Sequence, residues 1–110
     1  MNLTTNDHDG FSVISIEGRL VAAGAPQLRL AVNQLIEAGT VRVVVDLGRT
    51  EFIDSSGLGA LIGGLKRARV AGGDLRIAAV PDAVRAVLRL TNLDRVLGEH
   101  STPETAFDER

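Results

Sequence analysis

The sequence predicts an α/β domain with mixed sheet pairing, and three observations carry that prediction. Strand-like apolar runs alternate with helical patterns from Ala25 onward. The run Val43-Val44-Val45 shows no polar alternation, which suits a central strand covered on both sides. Two strand-like segments at the N-terminus flank Asp7-His8-Asp9-Gly10, and Asp and Gly favour the backbone angles of a turn, so the sheet opens with a hairpin.

Each element has a local reason. Leu3 to Thr5 forms a short first strand. Phe11 to Glu17 forms the second, with high β-propensity, and Gly18 ends it. Arg19 to Gly24 is a loop. Pro26 sits at a first helical position, where its missing N–H costs nothing. Leu28, Ala31, Val32, Leu35 and Ile36 then recur at helical spacing, so Ala25 to Ala38 is a helix burying one face, stopped by Gly39. Val41 to Leu47 is the central strand. A short polar turn follows, and the next helix starts near Gly57. Its buried stripe is Leu58, Leu61, Ile62 and Leu65, and Gly72-Gly73 stops it. Leu75 to Val80 is a strand. Pro81-Asp82 opens a helix carrying Val84, Val87 and Leu88, which ends near Asn92. Arg95 to Leu97 is a candidate edge strand, and Thr102-Pro103-Glu104 starts a brief last helix.

Composition narrows the function. A chain of 110 residues suggests one domain, residues 1–110, with no linker or repeat. The hydrophobic fraction of 45% supports a packed core, and aromatics at 3% make that core aliphatic. Few aromatics and a net charge of −2 argue against a nucleic-acid surface. The absence of cysteine removes disulfides, thiol catalysis and cysteine metal sites. The N-terminus lacks the pattern of a signal peptide, and no apolar run approaches a membrane span. The expectation is a soluble cytoplasmic protein, with a monomer the simplest state and a dimer left open.

Chemistry concentrates at Asp54-Ser55-Ser56-Gly57. This segment places two hydroxyls at a strand-to-helix junction, where free backbone N–H groups and the helix dipole tolerate negative charge. A Ser or Asp oxygen there takes one free N–H as a helix cap, stabilising by about 1 kcal/mol, or a serine is a place to attach a phosphate of roughly −1.5 to −2 charge. Gly57, Gly59, Gly63 and Gly64 crowd one helix, at a cost of about 1 kcal/mol each relative to Ala. They serve either close packing on the sheet or a smooth surface that another backbone can approach. The spacing excludes a Walker phosphate loop, because Leu65 stands where Lys is required. His8 and His100 have no companion at metal-ligand spacing and read as surface residues. Asp46 ends a buried strand, as a structural hydrogen-bonding group or as a carboxylate near Ser55. Lys66, Arg67 and Arg69 form a solvated helix face that complements the dipole.

The extended stretch Asp46-Leu47 with Phe52-Ile53-Asp54-Ser55-Ser56-Gly57-Leu58-Gly59-Ala60-Leu61 resembles the signature of the anti-sigma-factor antagonist family, the STAS domain. So do Ile16-Glu17-Gly18-Arg19-Leu20, Ala71-Gly72-Gly73-Asp74-Leu75-Arg76-Ile77 and Leu90-Thr91-Asn92-Leu93, in the family's order. The resemblance implies a small domain with helices mainly against one face of a mixed sheet. It implies a binding protein and not an enzyme, with no cofactor or metal. The unphosphorylated form would bind an anti-sigma factor that is also a serine kinase, freeing a sigma factor. Phosphorylation of Ser55 would break that complex, and a metal-dependent serine phosphatase would reset it. Asp54, Ser56, Gly57, Leu58 and Gly59 would form the recognition surface, together with the loop containing Arg19 and Val21. That loop often carries acids in the family; here one position is basic and one apolar. A non-switching STAS subunit of a transporter or larger signalling assembly, with Ser55 as a simple cap, is the alternative.

Overall fold

A computed structural model describes residues 1–108. Five strands form one sheet in the order β1-β2-β3-β4-β5. They are β1 (Asn2–His8), β2 (Phe11–Leu20), β3 (Arg42–Ile53), β4 (Asp74–Ala78) and β5 (Gly98–His100). β1 is antiparallel to β2, and every later pairing is parallel. The helices are α1 (Ala25–Glu37), α2 (Ser55–Val70) and α3 (Asp82–Leu90). Short 3-10 turns occupy Leu93–Arg95 and Pro103–Thr105.

The helices share one face of the sheet. Ile14, Ile16, Val43, Val45, Leu47, Leu75 and Ile77 point into a core completed by Leu28 and Val32 of α1, Leu61 and Leu65 of α2, and Val84 and Leu88 of α3. Burying each such aliphatic side chain contributes about 1.5–3 kcal/mol. Val44 points the other way. With Val13 and Ala78 it forms a second cluster, covered by Ala106 and Phe107 of the C-terminal segment. The unalternated valine run is therefore covered on both sides, as its pattern predicts. Arg76 supports this cover: its guanidinium lies 4.2 Å from the Phe107 ring centroid, and Nη1 donates to the Ala106 carbonyl at 2.8 Å. Arg85 ties α3 to β5 through Glu99 and also meets Asp82 at 2.8 Å. Its hydrogen bond to Glu99 leads the causes that raise its pKa above the ordinary arginine value.

Several boundaries differ from expectation. β1 runs from Asn2 to His8, longer than Leu3–Thr5, because all seven residues pair with β2 although six of them are exposed. The turn contracts to Asp9-Gly10, with Gly10 at φ +86°. Gly18 does not end β2. It adopts φ +98° at a register irregularity, and the strand continues to Leu20. The largest correction is β3, which runs through the expected polar turn to Ile53. Ser15 pairs with Asp46 but Glu17 with Arg49, and Gly18 pairs with Thr50 but Arg19 with Phe52. Each step leaves one extra residue on β3, as in a β-bulge. The bulges change the buried spacing from two to three, through Leu47, Thr50 and Ile53. Thr50 is buried and donates through Oγ1 to the Ile16 carbonyl at 3.2 Å. β4 stops at Ala78, two residues short of Val80. β5 is Gly98–His100, since Arg95 belongs to a 3-10 turn.

Candidate functional site

The bulged extension of β3 delivers Asp54 directly to the start of α2. Asp54 lies in extended conformation as the N-cap, and its Oδ1 accepts the Gly57 N–H at 3.0 Å. Its carbonyl accepts the Leu58 N–H at 2.9 Å, the first bond of the helix. Ser55 is thus the first helical residue, two positions before the expected start. The capping role belongs to Asp54. Neither Ser55 nor Ser56 makes a side-chain hydrogen bond among the described residues. Ser55 is exposed and Ser56 half-buried.

Gly57 locks this corner to the end of β2. The Asp54 N–H donates to the Leu20 carbonyl at 3.3 Å. A Cβ on Gly57 would collide with that same carbonyl oxygen and lie 2.8 Å from Ile53 Cγ1. The glycine lets two backbones meet. Gly64 packs similarly, since a Cβ there would lie 2.9 Å from Leu75 Cδ1. Gly63 is different, facing open space, and Gly59 is exposed with Arg29 beside it. Close packing accounts for Gly57 and Gly64, whereas Gly59 and Gly63 are exposed. Ser55, Gly59 and Gly63 recur every four residues, so they share one exposed helix face.

The remaining expected site residues fall into two groups. Leu58 is buried in the core and supports the corner from beneath. Val21 is half-buried; its carbonyl accepts the Gly24 and Ala25 N–H groups, both at 2.9 Å, turning the chain into α1. Arg19 is a strand residue and not a loop residue. It pairs with Phe52, and its guanidinium lies 4.8 Å from that ring's centroid. Phe52 is 42% exposed, so the pair forms a cationic, apolar spot beside the corner.

Asp46 is not brought to Ser55. Its Oδ1 accepts the Gly48 N–H at 2.9 Å, and it lines a cavity of about 870 Å³ with Asn2, Ser15 and Arg49 on the face opposite the helices. His8 stacks on Phe11 at 4.9 Å. No group of residues able to hold a metal occurs among the described residues. No helix among them is long and apolar enough to cross a membrane. Arg69 pairs with Asp74 at 3.3 Å, whereas Lys66 and Arg67 are exposed. Arg29 was not singled out by the sequence. Its Nη2 lies 3.4 Å from the position of a Gly59 Cβ, a proximity created by the packing of α1 on α2.

A small mixed sheet with its helices on one face, and an exposed serine at an Asp-capped helix start, make this a compact α/β module. The family model described as "Mlab, STAS domain" matches residues 3–99, and the chain belongs to the STAS family of anti-sigma-factor antagonists. The anti-sigma-B factor antagonist of Staphylococcus aureus is 28% identical over 93 residues, covering 84% of this chain and 86% of that protein. An anti-sigma factor antagonist from Mycobacterium paratuberculosis is 30% identical with a TM-score of 0.84, covering 96% of this chain and 89% of that one. The phosphorylated form of the Bacillus cell fate determinant SpoIIAA shares the fold, with a TM-score of 0.75 at 20% identity and coverage of 97% of each chain.

Proposed function

We propose that this protein is a phosphorylation-controlled binding module. Its unphosphorylated form binds an anti-sigma factor that is also a serine kinase, and so releases a sigma factor. Phosphorylation of Ser55 by that kinase breaks the complex, and a serine phosphatase restores it. The observation that carries this reading is the division of labour at the start of α2. Asp54 caps the helix, and the exposed Ser55 hydroxyl is left without a structural role. A phosphate on Ser55 would leave the cap intact while placing a dianion on the binding face, and desolvating that charge opposes docking. The relatives named as anti-sigma-factor antagonists, and the existence of a phosphorylated form of SpoIIAA, support the reading.

The test is peptide mass spectrometry of the protein isolated from its native cells across growth and stress conditions. The expected result is a phosphate on Ser55 in part of the population. Its absence under every condition overturns the switch.

A further inference from the structure

The geometry points to Arg29 as the internal partner of a phosphate on Ser55, an assignment that rests on the proposed modification of that serine. Arg29 is exposed on α1 and has no hydrogen-bond or ion-pair partner among the described residues. Its guanidinium nevertheless lies against α2, with Nη2 3.4 Å from the Cβ position of Gly59. Gly59 and Ser55 are one turn apart on the same face of α2. Such residues have Cβ atoms about 5–6 Å apart. Because Gly59 has no side chain, nothing at that position stands between the guanidinium and the serine.

Helical side chains lean toward the N-terminus, so Ser55 points away from Gly59. Arg29 must therefore extend by about one turn, roughly 5.4 Å, along the lane that Gly59 leaves clear. The phosphoryl group shortens the gap from the other end. Guanidinium matches phosphate oxygens through paired N–H donors, so the contact is directional as well as charged. The carboxylate of Asp54, the residue just before Ser55, opposes the dianion. Its Oδ1 is occupied by the Gly57 N–H. Arg19, held over the Phe52 ring at 4.8 Å, is a further cation beside the corner, while the segment from Val21 to Gly24 brings no charge. Arg29 thus offsets Asp54 and holds the dianion between α1 and the start of α2.

The test uses the full chain carrying genetically encoded phosphoserine at position 55, so it does not depend on the cellular kinase. Phosphorus NMR follows the second phosphate ionisation against pH in the parent, Arg29→Gln, Arg29→Lys and Arg67→Gln proteins. A nearby cation favours the dianion and lowers the midpoint, so its removal raises it. The expected rise in Arg29→Gln is about half a pH unit, roughly a threefold gain in proton affinity. Arg29→Lys should recover most of the shift, and Arg67→Gln, near the far end of α2, should leave the midpoint unchanged. An unchanged midpoint in Arg29→Gln overturns the assignment. So does an equal rise in Arg67→Gln, which marks a general charge effect, or no recovery with Lys. These outcomes judge the Arg29 contact alone. The search for Ser55 phosphate in native cells judges the switch alone.

Discussion

The Asp54 carboxylate accepts the Gly57 amide at 3.0 Å and so takes the capping position that either serine could have filled. Stability should follow that assignment. Asp54→Ala should lose about 1 kcal/mol, the usual cost of removing an N-cap. Ser55→Ala should stay within about 0.5 kcal/mol of the parent, as surface substitutions do when no bond is broken. Urea denaturation of the three proteins measures both changes. Equal losses in the two variants would mean that Ser55 shares the cap in solution.

Phosphate acceptance should separate the two serines. Ser55 is exposed at the first helical position, whereas Ser56 is half-buried. With the partner kinase and labelled ATP, Ser55→Ala should abolish incorporation and Ser56→Ala should retain it. In a binding assay without ATP, Ser55→Ala should match the parent. Ser55→Glu should bind at least tenfold more weakly, about 1.4 kcal/mol. A carboxylate imitates a dianion imperfectly, so phosphoserine itself should have the larger effect. Loss of incorporation in Ser56→Ala alone would move the acceptor by one residue.

The alternation of strands and helices, the helix stripes and the doubly covered valine run were legible in the sequence because burial writes them directly into residue type. The ends of the strands were not. Gly48-Arg49-Thr50-Glu51 carries turn-like chemistry, yet it lies within β3, since two bulges change the buried spacing to three. β1 was legible only in part, because pairing with β2 and not burial holds Asn2 to His8. At the site, the motif marked Asp54, Ser55 and Gly57 correctly as neighbours. Which residue caps the helix depends on one carboxylate orientation, and the sequence alone left it open. Arg29 carried no local signal, for its place beside Gly59 arises from the packing of two helices whose sequences are separated by β3.

The C-terminal segment should be a structural cover independent of the switch. Phe107 seals Val13, Val44 and Ala78 on the face opposite the helices and packs beneath Arg76. Phe107→Ala should cost about 3 kcal/mol, toward the low end for a buried phenylalanine, since 9% of the residue remains exposed. Chemical denaturation measures the loss. Phosphorylation of Ser55, measured well below the melting transition, should proceed at the parent rate because the acceptor is on the other side of the sheet. A loss below about 1 kcal/mol would show that the segment is not seated on the sheet in solution.

The two kinds of glycine in α2 should respond oppositely to the same substitution. At Gly57 a methyl group would meet the Leu20 carbonyl and Ile53, and backbone cannot yield as a flexible side chain can. Gly57→Ala should therefore lose about 3 kcal/mol, the upper end for overpacking. At Gly63 a methyl group meets nothing within 4 Å. Gly63→Ala should gain about 1 kcal/mol through helix propensity alone. The more stable Gly63→Ala protein should still bind its partner less tightly, by roughly tenfold, if the partner's backbone packs along the Ser55, Gly59 and Gly63 face. Paired denaturation and binding measurements separate the two effects. A gain in stability with unchanged affinity would confine the interface to the Asp54 corner and the Arg19 and Phe52 spot.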